Sequence, residues 1–167
     1  TGDIQITGAA LWQSQYLSQG PEGKSQKYIK NSCVPEIYAG IDYKHKGLLI
    51  GAGIEMVSLT PRTQATVEDK IYKVSERITS LSYEVHMKYN SEKWLVAAKS
   101  VLGSNLTQTS MLGGYGIKSI DPRTGEQEYS PNRNSSSWIN IVYGKTWKPA
   151  IFFGYMKNLG TSDAVTN

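Results

Sequence analysis

A single cysteine, Cys33, occurs among 167 residues, so neither an internal disulfide nor a cysteine-based zinc site can be built. The two histidines, His45 and His86, are too few for most metal or relay chemistry, and no metal or other cofactor is expected. No stretch approaches the ~18 consecutive apolar residues of a membrane-crossing helix. That absence does not exclude a membrane, because a β-barrel wall needs only alternate residues to be apolar. Eighteen basic against fourteen acidic residues leave +4, too small and too dispersed a surplus for a nucleic-acid partner. With 19% charged residues the composition is not that of a disordered tail. No Gly-rich phosphate loop exists either: Gly113-Gly114-Tyr115-Gly116-Ile117-Lys118 lacks the required spacing and suits a bend or bulge. The length fits one domain over 1–167. The chain opens Thr1-Gly2-Asp3 without Met or signal peptide, as a mature protein or a piece of one would.

In place of these features stand 11 Tyr and 16 Gly, a balance that favours strands and bends over helices. From Thr79 to Tyr89 the odd positions are Thr79, Leu81, Tyr83, Val85, Met87 and Tyr89, and the even ones Ser80, Ser82, Glu84, His86 and Lys88. A period of two puts these sets on opposite faces of one strand. The pattern recurs in 34–45, with Ile37, Ala39, Ile41 and Tyr43 opposite Glu36, Tyr38, Asp42 and Lys44. It recurs in 48–58, with Ile50, Ala52, Ile54 and Met56 opposite Gly51, Gly53 and Glu55, and more weakly in 93–102, where Lys99 falls on the polar side. Ile4, Ile6, Ala10 and Trp12 mark an earlier strand, Ile139, Ile141 and Tyr143 a later one, and 150–159 is apolar on both faces.

Connection lengths alternate. The junctions at Lys44-His45-Lys46-Gly47, Asn90-Ser91-Glu92 and Gly144-Lys145-Thr146 are tight, whereas 14–32, 60–77 and 103–136 are long. One up-and-down antiparallel sheet, with a short-turn end and a long-loop end, gives this order provided 103–136 counts as one excursion, with or without a hairpin in it. Tyr43, Tyr89, Trp94, Tyr143 and Trp147 all lie within a few residues of the tight turns. A row of amphipathic rings at one end of a sheet is what a membrane interface selects.

The stretches Pro35-Glu36-Ile37-Tyr38-Ala39-Gly40-Ile41-Asp42-Tyr43-Lys44, Met111-Leu112-Gly113-Gly114-Tyr115-Gly116, Ser137-Trp138-Ile139-Asn140-Ile141-Val142-Tyr143-Gly144-Lys145 and Gly154-Tyr155-Met156-Lys157-Asn158-Leu159-Gly160 resemble porin-like outer-membrane β-barrel proteins of Gram-negative bacteria. The resemblance covers most of 33–160. It implies an all-β, antiparallel up-and-down transmembrane barrel with short periplasmic turns, long external loops and often a trimeric assembly. It also implies passive diffusion of small hydrophilic solutes, with outer-membrane lipid as the surroundings. Such barrels usually have well over a dozen strands and end on an aromatic, whereas about seven wall strands are legible here and the chain ends Thr161-Ser162-Asp163-Ala164-Val165-Thr166-Asn167. The expectation is a segment of a larger barrel, or an incomplete one.

Under that reading Glu36, Asp42, Lys44, Glu55, Glu84, His86, Lys88 and Lys99 line the pore, where fixed charge sets ion preference. The excursion 103–136 folds at least partly inward, with Tyr115, Lys118, Arg123 and Arg133 as constriction candidates. An enzyme is not expected. His86 lies among charged neighbours on the polar face, so a lipid-hydrolase site is the weaker reading. His45 reads as a solvated turn residue and Cys33 as a bystander; Asn105-Leu106-Thr107 and Asn134-Ser135-Ser136 match the glycosylation pattern, which carries little weight in a bacterial protein. The alternative is a soluble lipocalin-like barrel binding a small apolar ligand, with its apolar face turned inward.

Overall fold

A computed structural model describes residues 2–12, 18–109 and 111–166. Residues 14–17 of the first long connection lie outside the described residues. In chain order the elements are β1 (Asp3–Leu11), β2 (Ser18–Gly20), β3 (Gly23–Ser25), α1 (Lys27–Ser32), β4 (Glu36–His45), β5 (Leu48–Leu59), β6 (Gln64–Val67), β7 (Lys70–Lys73), β8 (Ile78–Asn90), β9 (Trp94–Ser104), β10 (Tyr115–Ile120), β11 (Gln127–Tyr143) and β12 (Ala150–Thr161). The protein is all-β. Strands β1, β4, β5, β8, β9, β11 and β12 form one antiparallel meander in that order. The small hairpin β2–β3, with α1, occupies the connection from β1 to β4, and the hairpin β6–β7 that from β5 to β8. The alternation of Thr79–Tyr89 thus lies in β8, and with β10, which also pairs β11, the sheet has eight strands where the sequence suggests about seven.

The tight turns are real. Lys46 and Gly47 join β4 to β5 with φ of 45° and 81°, the doubly left-handed pair that matches strand twist in a two-residue hairpin. Residues 91–93 and 144–149 make the other two turns at the same end.

The excursion 103–136 is not one loop. β9 runs to Ser104, β10 occupies Tyr115–Ile120 and β11 begins at Gln127, so the described residues between strands are 105–109, with a 3₁₀ turn at Leu106–Thr109, 111–114 and 121–126. β10 continues β9 along the same side of β11: Asn105 N donates to the Asn132 carbonyl, and Asn132 N to the Gly114 carbonyl, at 2.9 Å each. The Pro- and Asn-rich composition misleads here for a geometric reason. Since Asn132 turns both its backbone groups toward β10, the adjacent Pro131 faces the other side, beyond β12's last partner Thr161. There its missing N–H costs the ladder nothing.

The expected barrel is not closed. Among the described residues β1 and β12 each have one strand neighbour, and the sheet is open. Both strands run from the tight-turn end to the loop end, because an odd number of antiparallel strands leaves its two edges parallel.

The buried core sits at the loop end. Tyr28 and Ile29 of α1 pack on Val57 and Leu59 of β5, Ile78 of β8 and Tyr115 of β10, with Tyr129 alongside; the Tyr115 and Tyr129 rings meet edge-on at 5.2 Å. Val57 and Ile78 fall on the alternation that carries Glu55 and Glu84. The connections therefore fold over the polar face and leave the apolar face bare.

One ion pair ties these connections together. Arg62 Nη2 donates to Glu76 Oε1, and to the Gly125 carbonyl at 2.6 Å, while Glu22 lies 3.8 Å from Arg62 Nε. Burial opposes the Arg62 charge, but hydrogen bonding to and proximity of Glu76 outweigh it and hold the guanidinium pKa above its ordinary value. Glu76 Oε1 also accepts from Gln127 N at 2.9 Å. All three long connections thereby meet on one pair of side chains.

Candidate functional site

The strand register aligns the polar face in rows. One row runs Gln5, Asp42, Gly51, His86, Lys99, Trp138 and Gly154; the next runs Thr7, Gly40, Gly53, Glu84, Val101, Ser136 and Met156. Asp42 and His86 sit two strands apart, about 10 Å by ordinary strand spacing, yet Asp42 Oδ1 and His86 Nε2 are 2.8 Å apart. Gly51 between them makes this possible, because a Cβ there would collide with both side chains. Gly53 plays the same part for Tyr38, whose hydroxyl donates to Glu84 Oε1 at 2.8 Å across β5. Glu84 also pairs with Lys99 of β9. The outcome is a contiguous network over β4, β8 and β9, laid on a shelf of glycines.

His86 Nδ1 lies 3.8 Å from Glu84 Oε1. Both ring nitrogens thus face carboxylates. No group of three or more His, Cys, Asp or Glu side chains suited to a metal occurs among the described residues.

Residues 105–109 and 111–114 fold back over this face. Leu106 packs above Gly103, where a Cβ would meet both Leu106 and Ser82. Three asparagines hold the segment by its backbone. Asn105 Oδ1 accepts from Ser18 Oγ and from Gly114 N, at 3.1 Å each; Asn132 Nδ2 donates to the Gly113 carbonyl at 3.3 Å and Asn134 Nδ2 to the Leu112 carbonyl. Between segment and sheet lies a cavity of about 380 Å³ lined by Tyr38, Glu55, Glu84, Lys99, Leu106 and Trp138, among others.

Asn105 is fully buried and has φ 52°. Asn105→Gly, which keeps that backbone without strain but deletes the acceptor, is expected to cost about 1–3 kcal/mol. Asn105→Ala should cost about 1 kcal/mol more, since alanine resists the left-handed region. Limited proteolysis within 105–114 reads the loosening, and equal protection of both variants and the parent would show the acceptor to be idle.

The structure brings Asp42, Glu84, His86 and Lys99 together and places Glu55 on the cavity wall. Lys44, which donates to Gln5 Oε1 at 2.9 Å, and Lys88 lie one row nearer the turns. Glu36 is buried at the loop end opposite Leu11. Of the constriction candidates, Tyr115 belongs to the loop-end core and Lys118 of β10 lies 3.5 Å from Asp163. Arg123 sits in the 121–126 turn, where its backbone N–H on Asp121 Oδ1 holds that carboxyl below its ordinary pKa. Arg133 shares the alternation of Ser135 and Ser137, on the apolar side of β11. None of these four lines the cavity named above; Leu106 and Met111 form its lid instead, on a segment that the asparagines hold. Tyr38 shares the parity of Asp42 and Trp138 the row of His86 and Lys99, but neither carries a charge, so the charged residues of the polar face do not point to them.

Tyr43, Tyr89, Trp94, Tyr143 and Trp147 are all exposed at the tight-turn end, and the Trp94 and Tyr143 rings are 4.5 Å apart.

Comparison with known protein families, with characterised proteins and with solved structures finds no match for this chain.

Proposed function

We propose that this sheet is part of the wall of a porin-like barrel in a bacterial outer membrane, passing small hydrophilic solutes along its polar face and performing no covalent chemistry. The supporting observation is which face the protein itself covers. Core, lid and connections all lie against the charged face, whereas Ile6, Ile41, Tyr83, Val85 and Leu102 on the other face stand 50–81% exposed. An apolar surface that wide requires a cover, and lipid bounded by the turn-end aromatics supplies one. Where the apolar face turns polar, Ser100 and Ser137 satisfy each other at 2.9 Å, as a lipid-facing hydroxyl pair must. The 105–114 lid narrows the path in this reading. Closure of the barrel and a trimeric assembly belong to the same proposal.

The lipocalin-like alternative would enclose the apolar face. A hollow of about 670 Å³ lined by Ile41, Ile50, Ala52, Val85 and Met87 would then be the ligand site, but nothing among the described residues roofs it.

The test is cysteine accessibility in lipid vesicles, in a Cys33→Ser background. Glu84→Cys should react with a water-soluble maleimide and Val85→Cys should not. The reverse pattern would assign the faces to the soluble alternative.

A further inference from the structure

The tight-turn rim carries more than aromatic rings. Lys44, Lys46, Lys88, Lys93, Lys145 and Lys148 all lie at this end and all are exposed. The register of the strands and the three turns bring them there from positions spread over a hundred residues. Against six lysines stand two carboxylates, Asp3 and Glu92. That edge therefore carries a local surplus of four positive charges, gathered in space from residues far apart in the sequence. Glu92 is committed to Lys145, and among the described residues Lys46, Lys88, Lys93 and Lys148 make no ion pair.

The lysines of the turns lie among the belt rings: Lys145 lies two residues past Tyr143, Lys148 follows Trp147 and Lys93 precedes Trp94, whereas Lys44 and Lys88 reach the rim from the polar face, opposite Tyr43 and Tyr89. An ammonium on a flexible stem beside an amphipathic ring is suited to a boundary where phosphate lies just outside hydrocarbon. A solvated charged rim would have no need of Trp147 at 81% exposure.

We propose that this rim docks on an anionic phospholipid leaflet, its lysines engaging lipid phosphates while the belt aromatics enter the headgroup layer. The inference rests on the membrane reading above. It adds that the leaflet at the tight-turn side must carry net negative charge for full affinity. At about 1 kcal/mol for each lysine near an anionic surface, every lysine is worth about fivefold in binding, and the effect weakens with salt.

The test is co-flotation of the full chain with vesicles of phosphatidylcholine alone and of phosphatidylcholine mixed with phosphatidylglycerol. The parent should bind the mixed vesicles at least ~10-fold more tightly. A variant carrying Lys46→Gln, Lys93→Gln, Lys145→Gln and Lys148→Gln should lose that preference and keep its binding to phosphatidylcholine. If the fourfold variant loses its strand spectrum, the pair Lys93→Gln and Lys148→Gln is read instead, with a smaller shift in the same direction. A parent that binds both vesicle types alike overturns this proposal and leaves the barrel reading standing. Binding to neither overturns the barrel reading itself. Release by inorganic phosphate, where chloride of equal ionic strength has no effect, would assign the lysines to a free anion and also overturn the proposal.

Discussion

Arg62→Ala is expected to destabilise the loop-end cap by about 3–5 kcal/mol, the usual consequence of leaving one member of a buried ion pair alone. The Glu76 side chain is 1% exposed. Without Arg62 its carboxylate would keep only the Gln127 N–H at 2.9 Å, and water could not reach it to compensate. Glu76→Gln should cost less. It keeps the shape, and the 17%-exposed Arg62 retains the Gly125 carbonyl and the nearby Glu22. Replacing both residues by apolar ones of similar volume, Arg62→Met with Glu76→Leu, should recover most of the loss, because a buried pair offsets little beyond its own desolvation. Hydrogen exchange at the Gly125 and Gln127 amides reads the cap directly, since Gly125 N donates to the Asp121 carbonyl and Gln127 N to Glu76. Parent-like protection in Arg62→Ala, or a double variant worse than the single, would mean that the pair does not hold the cap.

That pair was invisible in the sequence, and the reason is general. Periodicity reports on residues that repeat a relation to one surface, so the alternation of Thr79–Tyr89 identified β8 and the alternation of long and short connections identified the meander. Glu22, Arg62 with Glu76, and Gly125 with Gln127 belong to three different connections and have no shared period. The network on the polar face was half legible. Parity put Asp42, Glu84, His86 and Lys99 on one side, but only the register shows that Gly51 and Gly53 are the gaps that let side chains two strands apart touch. The lid failed for the opposite reason. Its asparagines are individually ordinary loop residues, and the strand that carries two of them, β11, begins inside a Pro-, Asn- and Ser-rich stretch. Pairing with β9, β10 and β12 overrides that local composition.

Val85→Arg is the substitution that separates the membrane reading from its rivals. Val85 lies midway along β8, in the row of Ile6, Ile41, Ala52, Ser100, Ser137 and Tyr155, and it is 57% exposed. Nothing among the described residues covers it. If water did, arginine there would be a surface change within about 0.5 kcal/mol of neutral. If lipid does, the cost at the bilayer midplane is about 2–4 kcal/mol. Depth supplies the control. Tyr89 sits four residues along the same face at the turn-end belt, and Tyr89→Arg should forfeit only about 0–1 kcal/mol of insertion energy, since the penalty decays toward the interface. A soluble barrel with this face turned inward would instead penalise both positions according to packing, without that gradient. Glu84→Leu, one residue from Val85 but on the network with Tyr38 and Lys99, should leave insertion intact and disturb the polar face. The measurement is the urea midpoint for release from lipid vesicles, compared across the three variants. A neutral Val85→Arg, or equal costs at 85 and 89, would remove lipid from the apolar face and with it the case for a pore.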